Sequence, residues 1–461
     1  MRVLIANRGE IACRVIRACR ALGFDSISVY SEADARSMHV GMADEAVLIG
    51  PAPARQSYLD HSAVLAAAAA TRADAVHPGY GFLSENAAFA RAVQEAGLIF
   101  IGPDPEIIET MGDKGRARTM AERAGVPVLP GSPQFGIDDG VGLDAYADAT
   151  GFPLLVKAAG GGGGIGMRRV DRLDQLRPVV SAAQAQALRV FGNGSVYLER
   201  LVARARHIEI QVFGFGNGRV VTFPERDCSV QRRYQKVIEE SPAPLLSDET
   251  RNEMRTAAGR LAASVNYCGA GTVEFIVDAD SEQFYFLEMN TRIQVEHAVT
   301  EMVTGVDLVA LQLQQAAGGD LGSVLITPPS ARGHALEVRL YAESPERGFL
   351  PSPGHLKNVR LPAPQSDLRI DTGVRSGDDI TPHYDPMIAK IVAWGPDRAA
   401  ALDRLRSALA ETSIEGVQTN LTFLAAVTVH AAFRRGGVTT DYIEANRGDL
   451  FAANDRAAAP V

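Results

Sequence analysis

The chain opens with a strand, a helix and a second strand in close succession, and few folds accept that order. "RVLIAN" is a short apolar run of strand type. "EIACRVIRACRALG" carries its apolar residues at helical spacing and ends on Gly23, a helix-stop signal. "DSISVY" is strand-like again. This β-α-β opening predicts a parallel sheet, whose loops at the strand C-ends are natural ligand positions. "ADAVHPGYGFLSENAAFARAVQEAG" adds a strand, a Gly/Pro-rich loop and a helix expected to begin near Ser84; "LIFIGP" adds another strand. The α/β unit is expected to end near residue 112.

The 461 residues suggest roughly three domains at about 150 residues each. Beyond residue 112, "PLLVKAA" and "GMRRV" read as strands flanking a glycine run. "RHIEIQVFGFGNGRVVTFPER" reads as a hairpin turned by Gly-Asn-Gly, "RNEMRTAAGRLAASVNYCG" as a helix and "TVEFIVDADSEQFYFLEMN" as another hairpin. A third region begins near "GHALEVRLYAES" and includes the helix "DRAAALDRLRSALAET".

Several function classes are disfavoured. A net charge of −9 argues against a nucleic-acid partner held by general phosphate attraction. The richest apolar run, "VLAAAAA", is far short of the ~20 residues that span a bilayer. The first residues, "MRVLIANRGE", do not resemble a signal peptide. Cys13, Cys19, Cys228 and Cys268 form no C-x-x-C pair, which fits a reducing compartment. A soluble, cytoplasmic protein is expected, with no nucleic acid and no membrane among its partners.

Of the 46 basic residues, 41 are arginine and five are lysine: Lys114, Lys157, Lys236, Lys357 and Lys390. A coding bias explains the arginines. A position that stays lysine against that bias is a candidate for needing a compact ammonium in place of a planar fork.

"KAAGGGGGIGM" (157–167) is entropically costly in an ordered chain. A P-loop puts its lysine after the glycines and follows it with Ser or Thr, so this is not one. No helix follows, as a dinucleotide-binding turn requires. What remains is a strand–glycine–strand hairpin, either a lid whose N–H groups cover phosphates or a merely flexible surface hairpin.

In "VEFIVDADSEQFYFLEMN" the turn centres near Ser281, which sets Glu274 and Glu288 opposite one another. Like charges in that relation repel, and a hard cation such as Mg²⁺ would relieve them; a solvated acidic pair is the alternative. From Glu288, polar residues recur at Asn290, Arg292, Gln294 and Glu296. In an extended chain all five share one side, as a solvent face or as a set suited to metal, oxyanion and base. "RDCSVQRRYQKVIEE" adds Arg226, Gln231, Arg232, Arg233 and Lys236, a solvated basic loop or an anion site.

These stretches, with "IANRGEIACRVIRACRALG", "HPGYGFLSEN", "MGDK", "EMNTRIQVEHAVTEMVTGVDL", "GHALEVRLYAESP" and "HYDPMIAK", resemble biotin carboxylase, an ATP-grasp enzyme, over about residues 1–445. The resemblance implies an α/β fold in three parts. These are a doubly wound parallel-sheet domain (1–112), an ATP-grasp domain (113–330) with a lid at about 130–203, and a C-terminal α+β domain (331–447). It implies that bicarbonate is phosphorylated by ATP to carboxyphosphate, and that N1 of biotin on a separate carrier is then carboxylated. Another ATP-grasp carboxylate–amine ligase and a catalytically silent nucleotide-binding subunit are the competing readings.

By position, the resemblance implies that Lys114, Lys157, Gly163, Gly164, Met167, Glu199, Arg200, Leu201, Val202, His207, Gln231, Tyr234, Glu274 and Glu288 meet ATP. Glu274, Glu288 and Asn290 would bind Mg²⁺ or Mn²⁺. Lys236, Arg292, Gln294 and Val295 would hold bicarbonate, Glu296 would deprotonate it, and Arg339 would meet biotin; Lys236, Arg292, Glu296 and Arg339 form the catalytic set. Two departures stand out. Tyr234 occupies a position where the family commonly has His, and Ile165 one where Arg or Lys is frequent. With "QKVIEE" they resemble the corresponding domains of urea carboxylase or related acyl-CoA carboxylases. The chain has no Met-Lys dipeptide of the biotin-attachment type, so a carrier protein or domain and a carboxyltransferase subunit are expected partners, and the family implies a homodimer.

Overall fold

A computed structural model describes residues 1–137, 140–159, 167–319, 321, 325 and 327–451. The first strands are β1 (Arg2–Ile5), β2 (Asp25–Ser31), β3 (Glu45–Gly50), β4 (Ala75–His77) and β5 (Ile99–Phe100). They form a parallel sheet in the order β3-β2-β1-β4-β5, as the opening β-α-β unit predicts. The crossover helix Gly9–Leu22 ends where Gly23 adopts φ 71°, a left-handed cap that glycine takes without a Cβ penalty. The helix expected near Ser84 starts three residues later, at Ala87. Asn86 is its cap, accepting the Phe89 N–H at 2.8 Å. The Asn86 amide can satisfy an otherwise orphaned helix donor, whereas Ser84 is turned into the core.

A small sheet follows: β6 (Leu154–Ala158), β7 (Arg168–Val170) and β8 (Val196–Arg200), in the order β7-β6-β8. The glycine run between β6 and β7, with Gly163, Gly164 and Ile165, lies outside the described residues.

The large sheet has eight strands. They are β9 (Ala205–Phe215), β10 (Val220–Arg232), β11 (Gln235–Ser241), β12 (Cys268–Asp278), β13 (Phe284–Asn290), β14 (His334–Tyr341), β15 (Leu368–Thr372) and β16 (Met387–Gly395). Their order is β13-β12-β9-β10-β11-β14-β16-β15, all antiparallel. Along β9 the two-residue period separates two faces. Ile208, Ile210 and Val212 pack with Val273, Phe275 and Val277 of β12 and with Met254 and Leu261 of the helix Asp248–Ser264. Fully burying a side chain such as Phe275 contributes roughly 1.5–3 kcal/mol. His207, Glu209 and Gln211 point the other way and are buried too. That second face carries the functional residues.

Two readings of the chain change here. The alternation from Glu288 to Glu296 does not stay extended: β13 ends at Asn290, and Glu296 caps the helix His297–Thr304. The stretch from Arg226 to Lys236 is not a solvated basic loop. It is the β10–β11 hairpin, with Arg226 fully buried and a two-residue turn in which Arg233 and Tyr234 both take positive φ, 48° and 67°. That geometry suits a tight hairpin turn, but it is strained for residues other than Gly, Asn or Asp.

Candidate active site

Register aligns charges across the large sheet. Glu288 lies opposite Glu274, Glu274 opposite Glu209, and Glu209 opposite Arg226. Further along, Glu239 faces Glu337, Arg339 faces Lys390, and Lys390 faces Asp371. A row of ionisable side chains on buried strands is stable only if every charge is compensated.

The compensation centres on Lys236. Its Nζ lies 2.5 Å from Glu209 Oε2, 2.7 Å from Glu274 Oε1 and 2.6 Å from Glu296 Oε1. Burial opposes the ammonium, but the three carboxylates outweigh it and hold its pKa well above the ordinary lysine value. Arg339 Nη2 sits 3.0 Å from Glu296 Oε2 and 2.5 Å from Glu239 Oε1. Burial disfavours a charged Glu296, yet Lys236, Arg339 and Arg226 together hold its pKa well below the usual range. Arg226, with no exposed surface, donates to Glu209, Gln211, Thr300 and Thr272.

At the other end, Gln231 Nε2 donates to His207 Nδ1 at 2.8 Å, and His207 Nε2 faces Glu274 Oε2 at 2.9 Å. Burial works against an imidazolium, but Glu274 raises the His207 pKa overall. Asn290 and Gln294 also donate to Glu274 Oε1, at 2.9 and 3.0 Å. Glu288 is pushed up, first by burial and then by the charge of Glu274. Two opposed carboxylates beside a carboxamide, one of them reluctant to ionise, fit a hard divalent cation. Glu274, Glu288 and Asn290 would hold it, and when bound it supplies positive charge for phosphate oxygens.

These groups border one cavity of about 1330 Å³. The described ATP candidates Lys114, Lys157, Met167, Glu199, Arg200, Leu201, Val202, His207, Gln231, Tyr234, Glu274 and Glu288 line it. So do Lys236, Asn290, Arg292, Gln294, Val295 and Arg339. Glu296 has no exposed surface and sits beneath the floor. Lys157, on β6, pairs with Glu199 on β8. Arg292 Nε is held by Glu85 Oε2 at 2.8 Å, and its Nη2 reaches Asn290 Oδ1 at 3.1 Å.

Sequence reasoning missed Glu85, Glu209, Glu239, Glu337 and the placement of Lys390. Glu209 was within reach: "HIEIQV" alternates polar with apolar residues on a strand, as "EMNTRIQVE" does. Glu85 lies 207 positions from its partner, and nothing local marks it.

A parallel-sheet domain joined to a large antiparallel sheet, with a small sheet over a cavity rich in carboxylates and cations, is the architecture of the ATP-grasp ligases. Residues 113–324 match the family model for the ATP-binding domain of the carbamoyl-phosphate synthase L chain. Residues 1–108 and 337–445 match the N-terminal and C-terminal domains of biotin carboxylase. The chain is 49% identical to the mitochondrial methylcrotonoyl-CoA carboxylase subunit alpha of Glycine max over 98% of its own length and 61% of that protein's. It is 46% identical to the biotin carboxylase of a Nostoc species, covering 96% of this chain and 98% of that one. The biotin carboxylase domain of Hydrogenobacter thermophilus 2-oxoglutarate carboxylase superposes with a TM-score of 0.90 at 42% identity, covering 97% and 98% of the two chains. That structure is a dimer in complex with MgADP, ADP and bicarbonate. The chain belongs to the biotin carboxylase family, and it spans about three fifths of the methylcrotonoyl-CoA carboxylase subunit, 61%.

Proposed function

We propose that this chain uses ATP to activate bicarbonate and carboxylates N1 of biotin borne on a carrier protein or domain, the first half-reaction of a biotin-dependent carboxylase. The observation that carries the reading is the convergence of Lys236, Arg292 and Arg339 around one carboxylate-backed cavity that also contains His207, Lys157 and the Glu274–Glu288 pair. Three cations suit a bicarbonate-sized anion, and Glu296 beneath them suits a base.

As the site stands, Lys236 and Arg339 both rest on Glu296 and suppress its basicity. Bicarbonate that draws those donors onto its own oxygens frees Glu296 to take the bicarbonate proton. The deprotonated oxygen then attacks the γ-phosphorus, the bond to the β-phosphate oxygen breaks, and ADP leaves. Carboxyphosphate then breaks its carbon–oxygen bond to phosphate as its carboxyl carbon passes to biotin N1, the departing phosphate takes the N1 proton, and Arg339 faces the negative charge that builds on the ureido oxygen. Lys114, Lys157, Met167, the segment Glu199–Val202, Gln231 and Tyr234 form the nucleotide side, and the family resemblance adds Gly163 and Gly164 to the ATP-binding set. Gln294 and Val295 complete the bicarbonate site. The carrier, a carboxyltransferase subunit, self-association as a dimer and a cytoplasmic location belong to the same proposal. Among the described residues no helix is long and apolar enough to cross a membrane.

The test is ADP formation that requires bicarbonate, Mg²⁺ and free biotin or a biotinyl carrier together. No bicarbonate-dependent turnover with any of these acceptors sinks the proposal. ADP formation with an amine but not with biotin transfers the site to the other ligase class.

A further inference from the structure

Of the five lysines, Lys357 and Lys390 take no part in the proposed reaction, and Lys357 is exposed whereas Lys390 is buried. Lys390 sits on β16 with no exposed surface, between Ala389 and Ile391, which are equally buried. Its Nζ donates to the carbonyl of Val295 at 2.8 Å, and lies 3.3 Å from Glu10 Oε1 and 3.8 Å from Asp371 Oδ2. Asp371 already has Arg17 and Arg369, each at 2.7 Å. The shortest contact of the ammonium is therefore a neutral carbonyl, in a segment that has left the sheet.

Three separate stretches meet there. Glu10 belongs to the helix Gly9–Leu22 and receives the Tyr80 hydroxyl. Val295 lies between Gln294, which donates to Glu274, and Glu296, which receives Lys236. Gly373, just beyond β15, abuts the start of the first helix so closely that a Cβ would lie 2.4 Å from the Glu10 nitrogen.

We propose that Lys390 is a positioning residue for the bicarbonate site: by tying the Val295 carbonyl to Glu10, it fixes the Arg292–Glu296 turn in the shape that gathers its side chains under the cavity. The proposal rests on the bicarbonate reading given above. It also accounts for lysine at this position in a chain that otherwise writes positive charge as arginine. A compact ammonium reaches a carbonyl and a carboxylate at one buried point, whereas a planar fork needs more room.

The test separates positioning from mere neutralisation of Glu10, using the full chain and separate KM values for bicarbonate and ATP. Lys390→Met is expected to lower the thermal midpoint and to raise the bicarbonate KM about tenfold or more, with the ATP KM within about twofold. Lys390→Met/Glu10→Gln removes the carboxylate nearest the ammonium, while Asp371 keeps Arg17 and Arg369 and burial favours the neutral acid at Glu337, so the measurement stays possible if the single variant folds poorly. The double variant is expected to regain the midpoint yet retain the raised bicarbonate KM, and Lys390→Arg is expected not to restore it. A double variant with normal bicarbonate KM, or a parallel rise of both KM values, overturns the proposal. Binding of ¹³C-labelled bicarbonate by NMR makes the same comparison without turnover, so failure of the enzymatic reading is distinguishable from failure of this one.

Discussion

The two ends of the cavity are built differently. At the anion end Lys236, Arg226 and Arg339 each touch at least two polar partners that are themselves buried, and the carboxylates are shared between them. At the nucleotide end Lys157 of the small sheet pairs with Glu199 on the facing strand, and Tyr234 is 63% exposed. The first arrangement is set before substrate arrives; the second leaves donors to be organised by a ligand. A small anion offers few contacts to offset side-chain ordering, so its site gains from being rigid in advance. A nucleotide offers many.

If that contrast is right, Lys236→Met has the largest effect. It leaves Glu209, Glu274 and Glu296 without their common cation, and breaking a buried charge set in this way costs about 3–5 kcal/mol. Urea unfolding should record that loss together with loss of turnover, and Lys236→Arg should also be inactive because a fork cannot replace the point donor. Next, Glu296→Gln should lower kcat about 10²–10⁴-fold in steady-state assays while the chain stays folded; unchanged turnover would falsify the base assignment. At the nucleotide end Lys157→Met should raise the ATP KM about tenfold and, because it leaves one carboxylate unpaired where Lys236→Met leaves three, should cost less stability than Lys236→Met. An equal stability loss for Lys157 and Lys236 variants would erase the contrast.

The smallest effect is on pH dependence. Burial pushes Glu239 up from 4.5 to about 7; Arg339 opposes this, and Glu296 adds to it. Between those values the folded chain holds a proton that the unfolded chain has released. This contribution to stability is complete below about 4.5 and is lost as pH rises through about 7. Glu239→Gln should flatten that part of the profile in denaturant titrations; an unchanged slope would place the proton elsewhere.

The contrast also marks how far residues could be read from the chain. Glu274 and Glu288 were placed opposite one another by counting from a turn, and they are. The turn's own register pairs Phe275 with Phe286 and would set Glu274 against Leu287; a β-bulge at that point adds one residue and brings Glu288 into place. The two-residue period, continued from Asn290 to Glu296, gave the right residues on the wrong backbone. The strand ends, and Glu85, Lys236 and Lys390 from distant segments shape the turn that follows. Arg226 read as part of a basic loop because no local signal separates a solvated arginine from one enclosed by polar partners on β9, β12 and the helix His297–Thr304.

By itself the sequence determined the parallel sheet at the start, the hairpins, the opposed carboxylates and the family. These depend on residue periodicity and on motifs a few positions long. The tertiary structure alone decided which carboxylate meets which cation, that Glu296 lies beneath the cavity floor, and that Lys390 holds Val295. Those pairings join residues 17 to 380 positions apart. Their distances follow from strand order in the eight-stranded sheet, which no local pattern encodes.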